Sequence, residues 1–257
     1  VLTFPVDPSL LVGFLLLSAR LLAMMQFAPP FNGGGVPLRM RLALSVAVAA
    51  AVAPVVYEQT GPVIEPTVPA LVGAMVYQIG AGVAMGVVIQ LFMVAIQAAG
   101  SMIDVFSGIG IAVLYDPITQ VEAAPVGRLH QLIALTGLFI VDGHLLMMRG
   151  LIRSFEVAPV SGLRVDAIPE VAAKAAGDLL IAAVEIALPV LVALAMTEAV
   201  LALATRAAPR LNVMILGFAA KSMVMILVLT VSLPLAVRAV SVLAERSVLW
   251  SLRLLGV

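Results

Sequence analysis

Thr205-Arg206-Ala207-Ala208-Pro209-Arg210-Leu211-Asn212 is a short basic turn set between two long apolar runs, and the fold follows from it. As helices, residues 178–204 and 211–237 are each long enough to cross about 30 Å of hydrocarbon, and the turn is too short to be a domain linker. The two runs therefore form a helical hairpin. Glu185 and Glu198 lie inside the first run and Lys221 inside the second, charges that a lipid-facing helix rarely tolerates, so both helices are expected to pack against protein. In a hairpin bending near Ala208-Pro209, Glu198 stands about 10 residues before the bend and Lys221 about 12 after it, which places both about 15–18 Å from it. The matching depths predict a buried ion pair, Glu198 with Lys221. The alternative is that Lys221 caps carbonyls or pairs with a carboxylate on another subunit.

Composition assigns the class. With 63% hydrophobic and 11% charged residues and a mean hydropathy of +1.20, the chain departs far from the roughly 45–50% apolar and 25% charged of soluble domains, and it reads as an integral membrane protein. Net charge is zero and aromatics make up 5%, so neither a basic surface nor a stacking platform points to nucleic acid. The absence of cysteine removes disulfides, thiolate metal sites and cysteine nucleophiles.

Working outward, apolar runs fall at residues 9–28, 42–57, 70–99, 128–148, 178–204 and 211–237, with a weaker one at 101–115. The expected fold is an all-α membrane protein of roughly six helices forming hairpins, a single membrane domain over 1–257. The first run has no basic segment before it and holds Arg20, so it reads as a mature helix rather than a signal peptide. Loops are expected at Pro29 through Pro37, at Gly61 through Pro69, and over the mixed-charge stretch 149–178.

Charge bias conflicts with a simple count of six spans. The first loop is basic (Arg39, Arg41), the second acidic (Glu58, Glu65) and the fifth basic (Arg206, Arg210), as alternating sides require. The C-terminal tail should then oppose the fifth loop, yet it holds Arg238, Arg246 and Arg253 against Glu245 alone. Either the span count is wrong or some apolar runs are hairpins buried in an assembly. Residues 70–99 carry Gly73, Gly80, Gly82 and Gly86 among alanines, a small-residue surface that lets another backbone approach, from this chain or from a partner.

Chemical motifs fail. His130 and His144 are the only histidines, no His-Glu-x-x-His is present, and Gly108-Ile109-Gly110 continues into neither a dinucleotide fingerprint nor a phosphate loop. Tyr115-Asp116 lacks the partner motif of an intramembrane aspartyl protease. No nucleophile, base and orienting group stand at workable spacing, so an enzyme, a cofactor or a metal site is not expected.

The polar residues left in apolar surroundings form an ordered set. Ala19-Arg20, Pro29-Pro30-Phe31, Val36-Pro37-Leu38-Arg39-Met40-Arg41 and Ala53-Pro54 come first. Ala99-Gly100, Gly108-Ile109-Gly110-Ile111-Ala112, Asp116-Pro117, Gly143-His144, Ser154-Phe155-Glu156, Ala187-Leu188-Pro189, Arg206, Pro209, Leu211-Asn212-Val213 and Lys221 follow. Together they resemble the FliR/SctT family of type III export-gate subunits along almost the whole chain. The departures are Asp142 and Arg210, where asparagine and glutamine are expected. The resemblance marks Arg20, Arg41, His144, Arg206, Pro209 and Asn212 as family-motif positions. It implies a FliP-like hairpin joined to a FliQ-like one, and a structural channel subunit assembled with FliP and FliQ and adjoining FlhB. The site would be the bacterial inner membrane at the flagellar basal body, with unfolded flagellar proteins as cargo and lipid around the assembly.

Residues 108–125, with Gly108, Gly110, Pro117 and Pro125, must contain irregular backbone at the end of an apolar run. At membrane depth such backbone needs protein or a water-filled cavity around it. Taken alone it reads as a connecting loop. The resemblance implies instead a plug inside the closed channel, formed by Gly108, Ile109, Gly110, Ile111, Ala112, Val113, Leu114, Tyr115, Asp116 and Pro117. Thirteen methionines, among them Met24-Met25, Met147-Met148, Met223 and Met225, read first as core gap-fillers and second as a flexible pore lining. Two other readings stay open: a virulence injectisome homologue, and an ion-coupled secondary transporter using Glu185, Glu198, Lys221, Asp142 and His144. No pair of matching halves supports the transporter.

Overall fold

The computed structural model describes residues 8–32, 36–60, 67–109, 125–158, 168–208 and 213–255. Among them lie seven α-helices and no strand: α1 (Pro8–Phe27), α2 (Leu38–Thr60), α3 (Val68–Ser107), α4 (Pro125–Ile140), α5 (Gly143–Val157), α6 (Ile168–Ala207) and α7 (Val213–Arg253). Prolines mark the starts. Pro8 and Pro125 open α1 and α4, where a missing N–H removes a donor that has no helical partner anyway. Pro37 precedes α2, and its carbonyl accepts from Met40 and Arg41 at 2.9 and 3.2 Å. Pro54, Pro189 and Pro234 sit inside α2, α6 and α7, each leaving one carbonyl of the preceding turn without its helical donor. Gly108 ends α3 with φ 84°, a conformation glycine adopts without a Cβ penalty.

The first seven residues of the weak run 101–115 complete the 40-residue α3, and those beyond Ile109 lie outside the described residues. Two expectations are corrected. The run 128–148 is broken at Val141-Asp142, where Asp142 takes a left-handed conformation (φ 54°, ψ 26°) and its carbonyl accepts from Leu145 and Leu146 at 2.9 and 3.1 Å. Asp is one of the few residues that visits this region readily. The mixed-charge stretch 149–178 is largely helix, since α5 runs to Val157 and α6 begins at Ile168. Arg149, Arg153 and Glu156 occupy the exposed side of α5, while Met147, Gly150, Leu151, Ser154 and Phe155 recur at helical spacing on the buried side. The charges signal an amphipathic helix and not a loop.

The C-terminal segment behaves the same way. Arg238, Glu245 and Arg246 lie within α7, which continues to Arg253, while Val240, Leu243, Ala244, Ser247, Val248, Ser251 and Leu252 form its buried stripe. The charges that upset the topology count thus belong to the far end of a 41-residue helix. Among the described residues, five helices are long and apolar enough to cross a membrane, or six spans if α4 and α5 together make one. At 40 and 41 residues, α3, α6 and α7 each run about 60 Å, twice the hydrocarbon thickness.

The chain divides into two compact units: Val1–Phe92 with Asp142–Ala176 and Ala244–Val257, and Met93–Val141 with Gly177–Leu243. In the first, α1 packs on α2 and α2 on α5. A Cβ at Gly82 would collide with the Arg20 carbonyl and lie 2.8 Å from the Ala23 Cβ, and one at Gly86 would lie 2.6 Å from the Met24 carbonyl. The small residues of α3 therefore seat α1 of the same chain at this end. Gly150 is likewise filled over by Val248. In the second unit, Gly137 receives Val240, and Gly217 of α7 faces Leu201 of α6, as the hairpin reading requires.

Candidate functional site

Arg20 is the polar centre of the first unit. Leu16, Leu17, Arg20, Leu21, Met24 and Met25 form the buried stripe of α1, which sets Arg20, 0% exposed, against α3 and α5. Its Nε donates to Gln78 Oε1 at 2.6 Å, Nη1 to both the carbonyl and the hydroxyl of Ser154 at 2.8 Å, and Nη2 to the Ala158 carbonyl at 2.6 Å. The guanidinium also lies over the Phe155 ring, 4.0 Å from its centroid. One side chain thus ties three helices together. It covers the C-terminal carbonyls of α5, the end of a helix where positive charge is favoured. Arg41 repeats the device at the α1–α2 connection, donating to Gln26 Oε1 at 2.9 Å and to the Val36 carbonyl at 3.0 Å.

The second polar centre lies in the other unit, at the corner where α3 ends and α4 begins. Asp104, 2% exposed, accepts the Val126 N–H on one carboxylate oxygen at 3.1 Å and the Gly127 N–H on the other at 2.9 Å. His130, also buried, donates from Nδ1 to the Val126 carbonyl at 2.9 Å. Gly100 permits the approach, since a Cβ there would lie 2.6 Å from the Val126 carbonyl, 2.7 Å from the Gly127 Cα and 2.8 Å from His130 Nδ1. Sequence reasoning missed Asp104. The signal was present as a carboxylate four residues before Gly108, at the foot of the segment singled out as irregular.

Of that segment, Gly108 and Ile109 are described, and the Ile109 N–H donates to Ser107 Oγ at 3.4 Å. Gly110, Ile111, Ala112, Val113, Leu114, Tyr115, Asp116 and Pro117 lie outside the described residues, as do Pro209 and Asn212. Arg206 is exposed in the last turn of α6, and His144 is half-buried at the start of α5.

Lys221 Nζ stands 3.1 Å from Glu198 Oε1, joining α6 to α7. The pair is not buried within the chain, because the Glu198 side chain is 66% exposed and that of Lys221 19%. Depth along the hairpin brings the two together. Burial depends on what covers α6, and depth says nothing of that. The methionines divide similarly: Met24, Met25, Met147 and Met225 are buried among apolar side chains, whereas Met223 is 74% exposed. Met148 lines an apolar cavity of about 140 Å³ with Leu17, Leu21, Val48 and Val52.

A model of the bacterial export proteins, family 1, matches residues 11–247, nearly the whole of this arrangement. The chain belongs to that family. It is 31% identical over 217 residues to the flagellar biosynthetic protein FliR of Pectobacterium carotovorum subsp. carotovorum, covering 84% of this chain and 82% of the relative. It is 28% identical over 200 residues to the FliR of Escherichia coli strain K12, covering 77% and 76%. This export-family protein is a membrane-embedded component of an export apparatus. Its matched region holds Arg20, Arg41, Asp104, Glu198 and Lys221, so both polar centres and the hairpin pair lie within the matched residues.

Proposed function

We propose that the chain is the structural channel subunit of the flagellar type III export gate. In this reading it assembles with FliP and FliQ, adjoins FlhB in the bacterial inner membrane at the flagellar basal body, and passes unfolded flagellar proteins driven by energy supplied elsewhere. The family match over residues 11–247 carries the reading. The helices support it. Only 28% and 22% of the most apolar windows of α6 and α7 are buried by the chain itself, and helices about 60 Å long leave apolar surface beyond what a bilayer about 30 Å thick covers. Further protein helices are the natural cover, and the exposed Glu198 carboxylate would gain most from them.

The segment 108–117 acts as the plug of this gate. Its weakly charged, bulky residues, Ile109, Ile111, Val113, Leu114 and Tyr115, suit a seal that must release without holding cargo. The 1–257 chain acts as one export-gate domain with no catalytic group of its own. The flagellar relatives favour flagellar export over the injectisome.

Coexpression with FliP and FliQ, followed by intact mass measurement, tests the proposal. The expected result is an unstable or heterogeneous chain alone and a defined stoichiometric complex with the partners. A well-behaved monomer that reconstitutes transport of a small solute would instead establish the carrier.

A further inference from the structure

We infer that the cleft between α2 and α5, with Arg149 and Arg153 on its rim, is a docking surface for a partner-subunit helix that brings one large apolar side chain and a carboxylate. The inference rests on the export-gate reading, which supplies the partner. The cleft is a cavity of about 140 Å³, floored by Leu17 and Leu21 of α1 and walled by Val48 and Val52 of α2 and Met148 and Ile152 of α5. The floor is buried and all four wall residues are half-buried, so the cavity opens at the surface of the first unit. An apolar cavity of about 150 Å³ stays dry and takes a benzene-sized group, the size of a phenylalanine ring.

Depth decides what covers it. Leu17 and Leu21 stand in the middle of α1, Val48 and Val52 in the middle of α2, and both helices are long and apolar enough to cross a membrane. Arg149 and Arg153 directly follow the wall residues Met148 and Ile152, so they share this depth, and both are exposed, one helical turn apart on α5. Among the described residues neither forms a hydrogen bond or an ion pair, and the exposed Glu156 farther along the same helix pairs with neither. At the middle of a bilayer, charged side chains face protein or a water-filled cavity and not hydrocarbon. Headgroups are about 15 Å away, beyond the reach of an arginine stem. The arginines thus exclude lipid from the rim, and the apolar cleft beside them gives water no partner. A helix with a carboxylate for the rim and an apolar side chain for the cleft meets both requirements.

The test uses the full chain coexpressed with FliP and FliQ, and the absence of cysteine lets single cysteines report on this chain alone by its mass. Val52→Cys and Arg153→Cys should resist a water-soluble maleimide in the assembled complex and react once it is dissociated. Arg149→Glu combined with Arg153→Glu should weaken assembly roughly 30-fold or more, the factor that loss of one buried charge partner gives, and Arg149→Lys with Arg153→Lys should keep most of it. Val52→Phe, which fills the cleft from this chain's own side, should weaken assembly at unchanged helix content. Equal labelling of Arg153→Cys in the assembled and dissociated chain would make the rim water-facing and overturn the docking surface. So would assembly of both the charge-reversed and the Val52→Phe chains at wild-type yield, or an intact complex in which charge reversal removes only a bound phospholipid from the native mass. A charge-reversed chain that does not fold would place the role of the arginines within this chain and overturn docking. If the wild-type chain forms no complex at all, the export-gate reading itself has failed and the inference falls with it.

Discussion

Replacing Arg20 by methionine keeps an unbranched apolar stem of similar reach but removes all four hydrogen bonds that join α1 to α3 and α5. The Gln78 amide oxygen and the Ala158 carbonyl then lose the Arg20 donor. Hydrogen bonds between membrane helices average about 0.6 kcal/mol and reach about 1.7, and those to a charged donor fall toward the upper end. For four bonds that share one guanidinium and are not additive, the expected loss is about 2–5 kcal/mol, or roughly 5–15 °C in the unfolding temperature of a domain this size. Arg20→Lys should recover only a small part, because one ammonium cannot reproduce the planar fork that reaches Gln78, Ser154 and Ala158 together. Thermal unfolding in detergent reads both changes, with loss of the exposed Glu170–Lys174 pair as a control expected to cost less than about 0.5 kcal/mol. An Arg20→Lys variant that unfolds within about 1 °C of wild type would overturn this account, since charge alone would then suffice.

Lys221→Met should weaken the α6–α7 hairpin by about 1 kcal/mol, less than the roughly 3–5 of a fully buried pair because Glu198 is two-thirds exposed. Adding Glu198→Gln should restore part of that stability and of assembly, and additive damage in the double mutant would exclude the pairing. Gly86→Ala and Gly73→Ala make the same chemical change with opposite expected signs in thermal unfolding. The first forces a Cβ to 2.6 Å from the Met24 carbonyl and should cost about 1–3 kcal/mol, whereas the second meets nothing within 4 Å and should stabilise by roughly 0.5–1. Asp142→Val should destabilise by about 1–2 kcal/mol and Asp142→Gly should not, as the φ of 54° requires; equal stabilities would show that the break relaxes.

Much of the helix count was legible because apolar run length is a local property. The runs at 9–28, 42–57 and 70–99 became α1, α2 and α3 with shifted ends. The break at Asp142, a 69° bend, carried a turn signal in Asp142-Gly143, but the apolar residues on either side made the run read as continuous. The helical character of 149–157 and 238–253 was hidden for another reason. Both stretches mix charges with apolar residues at a helical period, and counting charges without their period reads them as loop or tail.

The sites divide along the same line. Depth along the hairpin made Glu198 one candidate partner for Lys221 among others, whereas residue order alone was enough for the membrane class and the family, since each follows from run length or an ordered set of short motifs. It could mark Arg20 as out of place in an apolar helix but not say what the guanidinium held, because Gln78, Ser154 and Ala158 lie 58 to 138 residues away. Packing in three dimensions brought Asp104 to the amides of Val126 and Gly127, showed that Gly82 and Gly86 seat α1 while Gly73 faces open space, and left the Glu198 carboxylate uncovered. A polar group in an apolar interior must find a partner, and the chain's periodicity states that requirement. Which partner meets it depends on the distance between helices, and that distance is set when all of them pack at once.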